Sequence, residues 1–192
     1  CKIEKIILSD NTEITDFTPY YTFKETSENY TVPENSLIKD VYAQGSENIT
    51  LTGNSQDNRF IGNTGNNTYQ GNGGNDYFYD EVGNDTYIYN LGDGWDTIQD
   101  QNGYDTIKIG EGVSLSDLRL SNQLNKNLEI LFNNNDGNIL IQDYFTNDSN
   151  KIEKIEFADG SYIENISQYI NIIASEDDII LPEGYKEAHL WG

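Results

Sequence analysis

The chain is short of positive charge, cysteine, histidine and long apolar runs, and each shortage removes a class of function. Its 192 residues hold 11 Lys and Arg against 33 Asp and Glu, a formal net charge of −22. Nucleic acids and anionic membranes are recognised through basic patches, so neither is expected as a partner. No segment approaches the roughly 18 consecutive apolar residues of a membrane-spanning helix, so this segment is not expected to insert. The first residues carry no apolar signal core, which places any export signal outside the segment. The one cysteine, Cys1, excludes an internal disulfide framework. The one histidine, His189, has no Ser, Cys or second His at catalytic or metal spacing, and neither G-x-S-x-G nor H-E-x-x-H occurs, so no enzyme is expected. Carboxylates suited to glycoside hydrolysis are present by abundance alone.

Excess acidity with low hydrophobicity is a signature of disorder. Yet 14 Tyr and 7 Phe supply material for a packed core. Both observations hold if a bound cation decides which state is populated.

What the chain does have is a repeat. From Gly53 it reads in nines as GNSQDNRFI, GNTGNNTYQ, GNGGNDYFY and DEVGNDTYI, and after Tyr89 and Asn90 it resumes as LGDGWDTIQ and DQNGYDTIK. The fourth column is Gly in all lines but the first: Gly65, Gly74, Gly83, Gly94 and Gly103, with Gln56 the exception. The sixth is Asn58, Asn67, Asp76, Asp85, Asp96 and Asp105, and the eighth is large and apolar, Phe60, Tyr69, Phe78, Tyr87, Ile98 and Ile107. Gly followed by an oxygen-bearing side chain suits a tight turn that brings carbonyl oxygens together. The residues after it suit a three-residue strand with one inward side chain. One unit cannot bury that side chain alone, so this short period predicts a solenoid.

If each nine is half a coil, the turns alternate between two edges. Asn58, Asp76 and Asp96 then share one edge and Asn67, Asp85 and Asp105 the other. Carboxylates stacked about 4.8 Å apart repel unless a cation lies between them. Ca²⁺, which takes six to eight oxygens in flexible geometry, fits this better than Mg²⁺, which demands a near-ideal octahedron.

These nines resemble the G-G-x-G-x-D-x-U-x repeat of RTX proteins, the haemolysin-type calcium-binding repeats; GNGGNDYFY is the closest line. The resemblance implies an all-β fold, a parallel β-roll flanked by β-hairpins and one or two short helices, with Ca²⁺ in its turns. Carried over position by position, the metal would be held by Asn58, Asn67, Gly74, Asp76, Gly83, Asp85, Gly94, Asp96, Gly103 and Asp105. Asp76 with Asp96 and Asp85 with Asp105 make the best pairs. Asn58 and Asn67 depart from the family's Asp and weaken that end.

Around the roll, residues 1–45 read as the end of a preceding unit plus a capping segment in which Pro19 and Pro33 discourage a continuous helix, and residues 46–110 as the roll itself. Trp95, in the GDGWD turn, is expected to pack against the neighbouring turn. Residues 111–166 open with Ser114 and Asp117 in a capping-box pattern. NLEILF and GNILIQDYF then form a hairpin, and KIEKIEFADGSYI adds another. From DLRL to SYI this segment resembles the haemolysin-type calcium-binding related domain. Residues 167–192 are expected to hold a short helix, with Ile163, Ile166, Ile170 and Ile173 at helical spacing, and the start of a next unit. KIEKI occurs at both Lys2 and Lys151, which predicts a tandem array with a period of roughly 130 to 150 residues and makes Cys1 the equivalent of Asn150.

The expected function is a non-enzymatic calcium-binding structural module of a large protein secreted by, or displayed on, a Gram-negative bacterium. Its partners are calcium ions and neighbouring repeat units of the same chain, and the resemblance implies type I secretion. The alternative is an adhesin or surface-array module in which Tyr-rich loops meet a host or neighbouring molecule. A toxin-associated or self-processing enzyme is the least favoured reading.

Overall fold

This computed structural model describes residues 5–15, 21–123, 126–133, 137–164, 166 and 179–180. The molecule is nearly all-β, a solenoid of about four turns. The only helical element among the described residues is a 3-10 turn at Leu115–Asp117. The nines become strands where their alternation predicts them. β7 (Arg59–Ile61), β8 (Thr68–Gln70), β9 (Tyr77–Tyr79), β10 (Thr86–Tyr89), β11 (Gly94–Gln99) and β12 (Thr106–Ile109) alternate between two parallel sheets.

The rungs extend beyond the nines in both directions. β3 (Phe23–Thr26) and β5 (Asp40–Ala43) pair in parallel below β7, and β4 (Tyr30–Thr31) and β6 (Thr50–Thr52) below β8. Leu37 lies outside β5 and is exposed. Above the roll, β15 (Gly137–Ile141) continues the sheet of β11 and β16 (Lys154–Phe157) that of β12, both in parallel. Beyond these the pairing turns antiparallel. β13 (Leu118–Gln123) and β14 (Asn127–Phe132) add antiparallel strands to one sheet, and β17 (Tyr162–Glu164) to the other. β18 (Ile179–Ile180) pairs with β13.

The eighth column forms the core, as a period-2 strand between two sheets requires. On one inner face Val41, Phe60, Phe78, Ile98 and Ile141 are in register; on the other, Leu51, Tyr69, Tyr87, Ile107 and Ile155. All ten are at most 2% exposed. Phe60 stacks on Phe78 with ring centroids 5.5 Å apart, and Tyr69 on Tyr87 at 5.2 Å, so like side chains repeat along each wall as the sheet spacing dictates.

The two KIEKI segments both lead into antiparallel hairpins. β1 (Ile6–Ile7) pairs with β2 (Glu13–Ile14), and β16 with β17. An aspartate accepts a backbone N–H two residues on in each turn, Asp10 from Thr12 and Asp159 from Ser161, both at 2.9 Å. The capping box is present: Ser114 N–H donates to Asp117 Oδ2 at 2.8 Å. Of the helix expected on Ile163, Ile166, Ile170 and Ile173, Ile163 lies instead in β17, because its alternation with charged neighbours suits a strand. Residues 167–173 and His189 lie outside the described residues.

Candidate metal centre in the turns

The turns stack into two rows, and hydrogen bonds from consecutive columns stitch them in opposite directions. In the sixth column, Asn58 N–H donates to Asp76 Oδ1 (2.7 Å) and Asp76 N–H to Asp96 Oδ1 (2.9 Å). On the other edge, Asn67 N–H donates to Asp85 Oδ1 (2.6 Å), Asp85 N–H to Asp105 Oδ1 (2.8 Å) and Asp105 N–H to Glu153 Oε2 (2.7 Å). In the fifth column each donor points the other way. Asn75 N–H reaches Asp57 Oδ1 (2.8 Å), Trp95 N–H reaches Asn75 Oδ1 (3.1 Å), and Asn84 and Tyr104 N–H reach Asn66 and Asn84 Oδ1, both at 2.9 Å. Each rung is therefore clamped to both neighbours, which satisfies turn N–H groups that no ladder can reach.

Glycine in the fourth column follows from this stacking. Gly94 has φ +113°, and a Cβ there would collide with the carbonyl oxygen of Gly74; one on Gly103 would collide with that of Gly83. Backbone oxygens thus approach the next coil along the same rows as the carboxylates, as close approach without a side chain permits.

One oxygen of each sixth-column aspartate holds the preceding turn, and the other is the informative one. Asp76 Oδ2, Asp85 Oδ2 and Asp105 Oδ2 are buried with no hydrogen-bond partner. Asp100 Oδ1 is in the same condition, while Asp100 Oδ2 accepts from Tyr87 Oη–H at 2.7 Å. Ligand atoms of Asp85, Asp100 and Asp105 all lie within 4.8 Å of one another. Buried unpaired carboxylate oxygens are costly, and an all-oxygen set of carboxylates fits a hard cation such as Ca²⁺. The matched set is thus able to hold the metal that the repeat implies.

The titration behaviour agrees. Burial, before any other cause, pushes Asp76 up to about 7 and Asp85 and Asp96 to about 8, with neighbouring carboxylates adding to it. Asp100 and Asp105 are raised by burial and by the carboxylates facing them. Asp80 and Asp93 are raised too, again mainly by burial. Without a cation at neutral pH, Asp85 and Asp96 hold protons that an unfolded chain would release.

One rung earlier the same pattern is closed by protein. Asn67 Nδ2 donates to Asn63 Oδ1 (3.0 Å), Gly65 O (2.9 Å) and Asp80 Oδ2 (3.2 Å). Asp80 is fully engaged: Tyr69 Oη–H donates to its Oδ2 at 2.5 Å, and the N–H groups of Glu81 and Val82 to its Oδ1. A neutral amide nitrogen here meets the kinds of oxygen that would face a metal on the next rung. On the other edge Asn58 Oδ1 accepts from Asn54 N–H at 2.9 Å, and Asn58 Nδ2 is buried without a partner.

The expected residues therefore stand in two rows, with Gly74 and Gly94 beside one and Gly83 and Gly103 beside the other. Three participants escaped the sequence reading. Asp100 and Asp80 occupy the first column of their nines, where Gly53, Gly62 and Gly71 open the first three lines and Leu91 the fifth, on the same edge as Asp85 and Asp105; that exchange of Gly for Asp was the available signal. Glu153, which continues the row, comes from outside the repeat and carried no signal of period. Trp95 does not pack against the neighbouring turn as expected but is 64% exposed, because its side of β11 faces outward while Asp96 faces in.

A family model described as haemolysin-type calcium binding protein related domain matches residues 127–164, which span β14 to β17. No curated protein matches the chain. No helix among the described residues is long and apolar enough to cross a membrane.

Proposed function

We propose, for a chain whose β-solenoid and matched segment fit an RTX-type protein, that it is a module folded by calcium outside the cell. The observation carrying this reading is the convergence of Asp85, Asp100 and Asp105, each with a buried oxygen that no protein donor satisfies. The family association with calcium supports Ca²⁺ as the ion.

In a metal-poor cytosol, repulsion among the acidic turns keeps the chain unfolded and suited to export through a narrow channel of the type I kind. Outside, extracellular modules bind Ca²⁺ in the range of about 10⁻⁴ to 10⁻³ M, and the binding free energy becomes folding free energy. The module itself is non-enzymatic and serves as a spacer or scaffold within a larger secreted protein of a Gram-negative bacterium. A ligand-binding role beside this one is favoured by a single surface feature, the exposed indole of Trp95.

The test is far-UV circular dichroism of the 192-residue chain during Ca²⁺ titration, with Mg²⁺ in parallel. A change from disordered to β-rich at about millimolar Ca²⁺, without a response to Mg²⁺, is the expected result. A fold already complete in metal-stripped neutral buffer, with no Ca²⁺ binding by calorimetry, would overturn it.

A further inference from the structure

The outer face of the β11–β15–β14–β13 sheet carries a groove of about 370 Å³ lined by Trp95, Asp96, Gln123, Lys126, Glu129 and Asn138 among others. Trp95 is the most exposed large apolar side chain among the described residues, at 64%. It stands directly across from Asn138 on β15. Glu129 on β14 is held from two sides, by the amide nitrogens of Gln123 and Asn138, one on each carboxylate oxygen. Lys126 pairs with Asp143 at 3.1 Å.

We propose that this groove is a carbohydrate site, in which a neutral sugar ring lies on the indole of Trp95 and its hydroxyls are read by Glu129, Gln123, Asn138 and Lys126. Three features of the lining choose this ligand class. An exposed aromatic face with a negative quadrupole attracts the weakly positive C–H groups that cover one face of a sugar ring. The polar residues beside it supply donors and acceptors in both kinds, as hydroxyls that donate and accept require. The charged groups are each engaged within the protein, Glu129 by two amide nitrogens, Lys126 by Asp143 and Asp96 by the Asp76 N–H, so the groove is not built around a charged ligand. The volume falls at the low end of small-molecule sites, enough for roughly one or two rings.

The groove's wall is also pre-formed. Most of its side chains stand on hydrogen-bonded strands, and the Glu129 carboxylate is oriented before any ligand arrives, which lowers the ordering cost of binding. A protein partner is the weaker occupant, because a stable interface takes about 800 Å² from each side and this recess is small and polar. The site meets the turn rows at one residue, Asp96, whose Oδ1 already accepts the Asp76 N–H, and the residues proposed to read the sugar lie outside those rows.

The test uses the full chain under conditions in which it is folded. The Trp95 indole N–H resonance is followed by NMR while cellobiose, lactose, maltose and N,N′-diacetylchitobiose are each raised to about 20 mM, beyond the millimolar range of a weak site. A saturable shift with at least one sugar is expected. Trp95→Ala should weaken binding about tenfold or more, and Glu129→Gln should weaken it by a smaller factor. Circular dichroism and the Ca²⁺ titration of Trp95→Ala should stay as in the parent, because its backbone N–H still reaches Asn75. No saturable response to any of the four sugars, or equal affinity in Trp95→Ala, would overturn the proposal. Calcium-independent folding with sugar binding intact would instead remove the metal reading and leave this one standing.

Discussion

Asp85→Asn is the change that most directly separates the two roles of a turn carboxylate. Asp85 Oδ1 accepts the Asn67 N–H at 2.6 Å, and an asparagine oxygen can keep that bond. Asp85 Oδ2 has no protein partner; an amide nitrogen there would meet oxygens, as Asn67 Nδ2 does one rung earlier with Gly65 O at 2.9 Å. Burial raises Asp85 from 3.8 to about 8, so at pH 7 the metal-free fold must take up a proton that the unfolded chain does not hold. About three units at 1.36 kcal/mol each is ~4 kcal/mol, and solvent screening at the rim of the turn reduces it to ~2 kcal/mol. Asparagine removes that cost. The metal-free form of Asp85→Asn should therefore lie ~2 kcal/mol nearer the folded state than the parent and fold at a lower concentration of a stabilising osmolyte, while its Ca²⁺ midpoint rises about tenfold or more through loss of one charge and one ligand. Osmolyte-induced folding followed by circular dichroism in metal-stripped buffer, with calorimetric Ca²⁺ titration, reads both quantities. A metal-free form less stable than the parent, or an unchanged Ca²⁺ midpoint, would refute the reasoning.

Further outcomes follow from the same geometry. Asn67→Asp replaces the amide that bridges Gly65 and Asp80 with a carboxylate, so equilibrium dialysis should find one additional Ca²⁺ per chain and the metal-free fold should weaken; unchanged stoichiometry would show that Asn67 does not occupy a metal position. Asp76, Asp85 and Asp96 are raised to between about 7 and 8, so their unfavourable contribution is complete above pH 8 and disappears as pH falls towards 4. The metal-free chain should accordingly gain β-structure between pH 8 and pH 5 as Ca²⁺ affinity declines, and a circular dichroism series showing the reverse order would count against protonated turns. Asp85→Ala should weaken Ca²⁺-induced folding more than Asn58→Ala, since Asp85 lies beside Asp100 and Asp105; equal titration midpoints would contradict that. Gly94→Ala forces a Cβ into the Gly74 carbonyl at φ +113°, and a loss of several kcal/mol in urea unfolding is expected.

The nine-residue period determined the fold of residues 53–108 by itself, because a solenoid's contacts are nearest-neighbour and repeat with its sequence. The alternation of Phe60, Tyr69, Phe78 and Tyr87 names the core, and the sixth column names the residues on each edge, since half a coil per nine leaves no other arrangement. The hairpins at β1–β2 and β16–β17 were legible for the same local reason, an alternating run broken by an Asx turn. Contacts between rungs were a different matter. That Asp85 and Asp105 keep one oxygen unpaired while Asn67 closes its rung with an amide depends on which atoms face one another 18 to 20 residues apart. Asp100 joins them because a first-column side chain turns inward, and Glu153 because β16 stacks on β12 from beyond the repeat. The exposure of Trp95 was also decided at that level: β11 is extended to Gly94 by its pairing with β15, which directs Asp96 inward and Trp95 to solvent. Local periodicity specifies where a side chain starts from, whereas packing of the next rung and the strands beyond it decides which polar atoms are satisfied and which are left for a ligand.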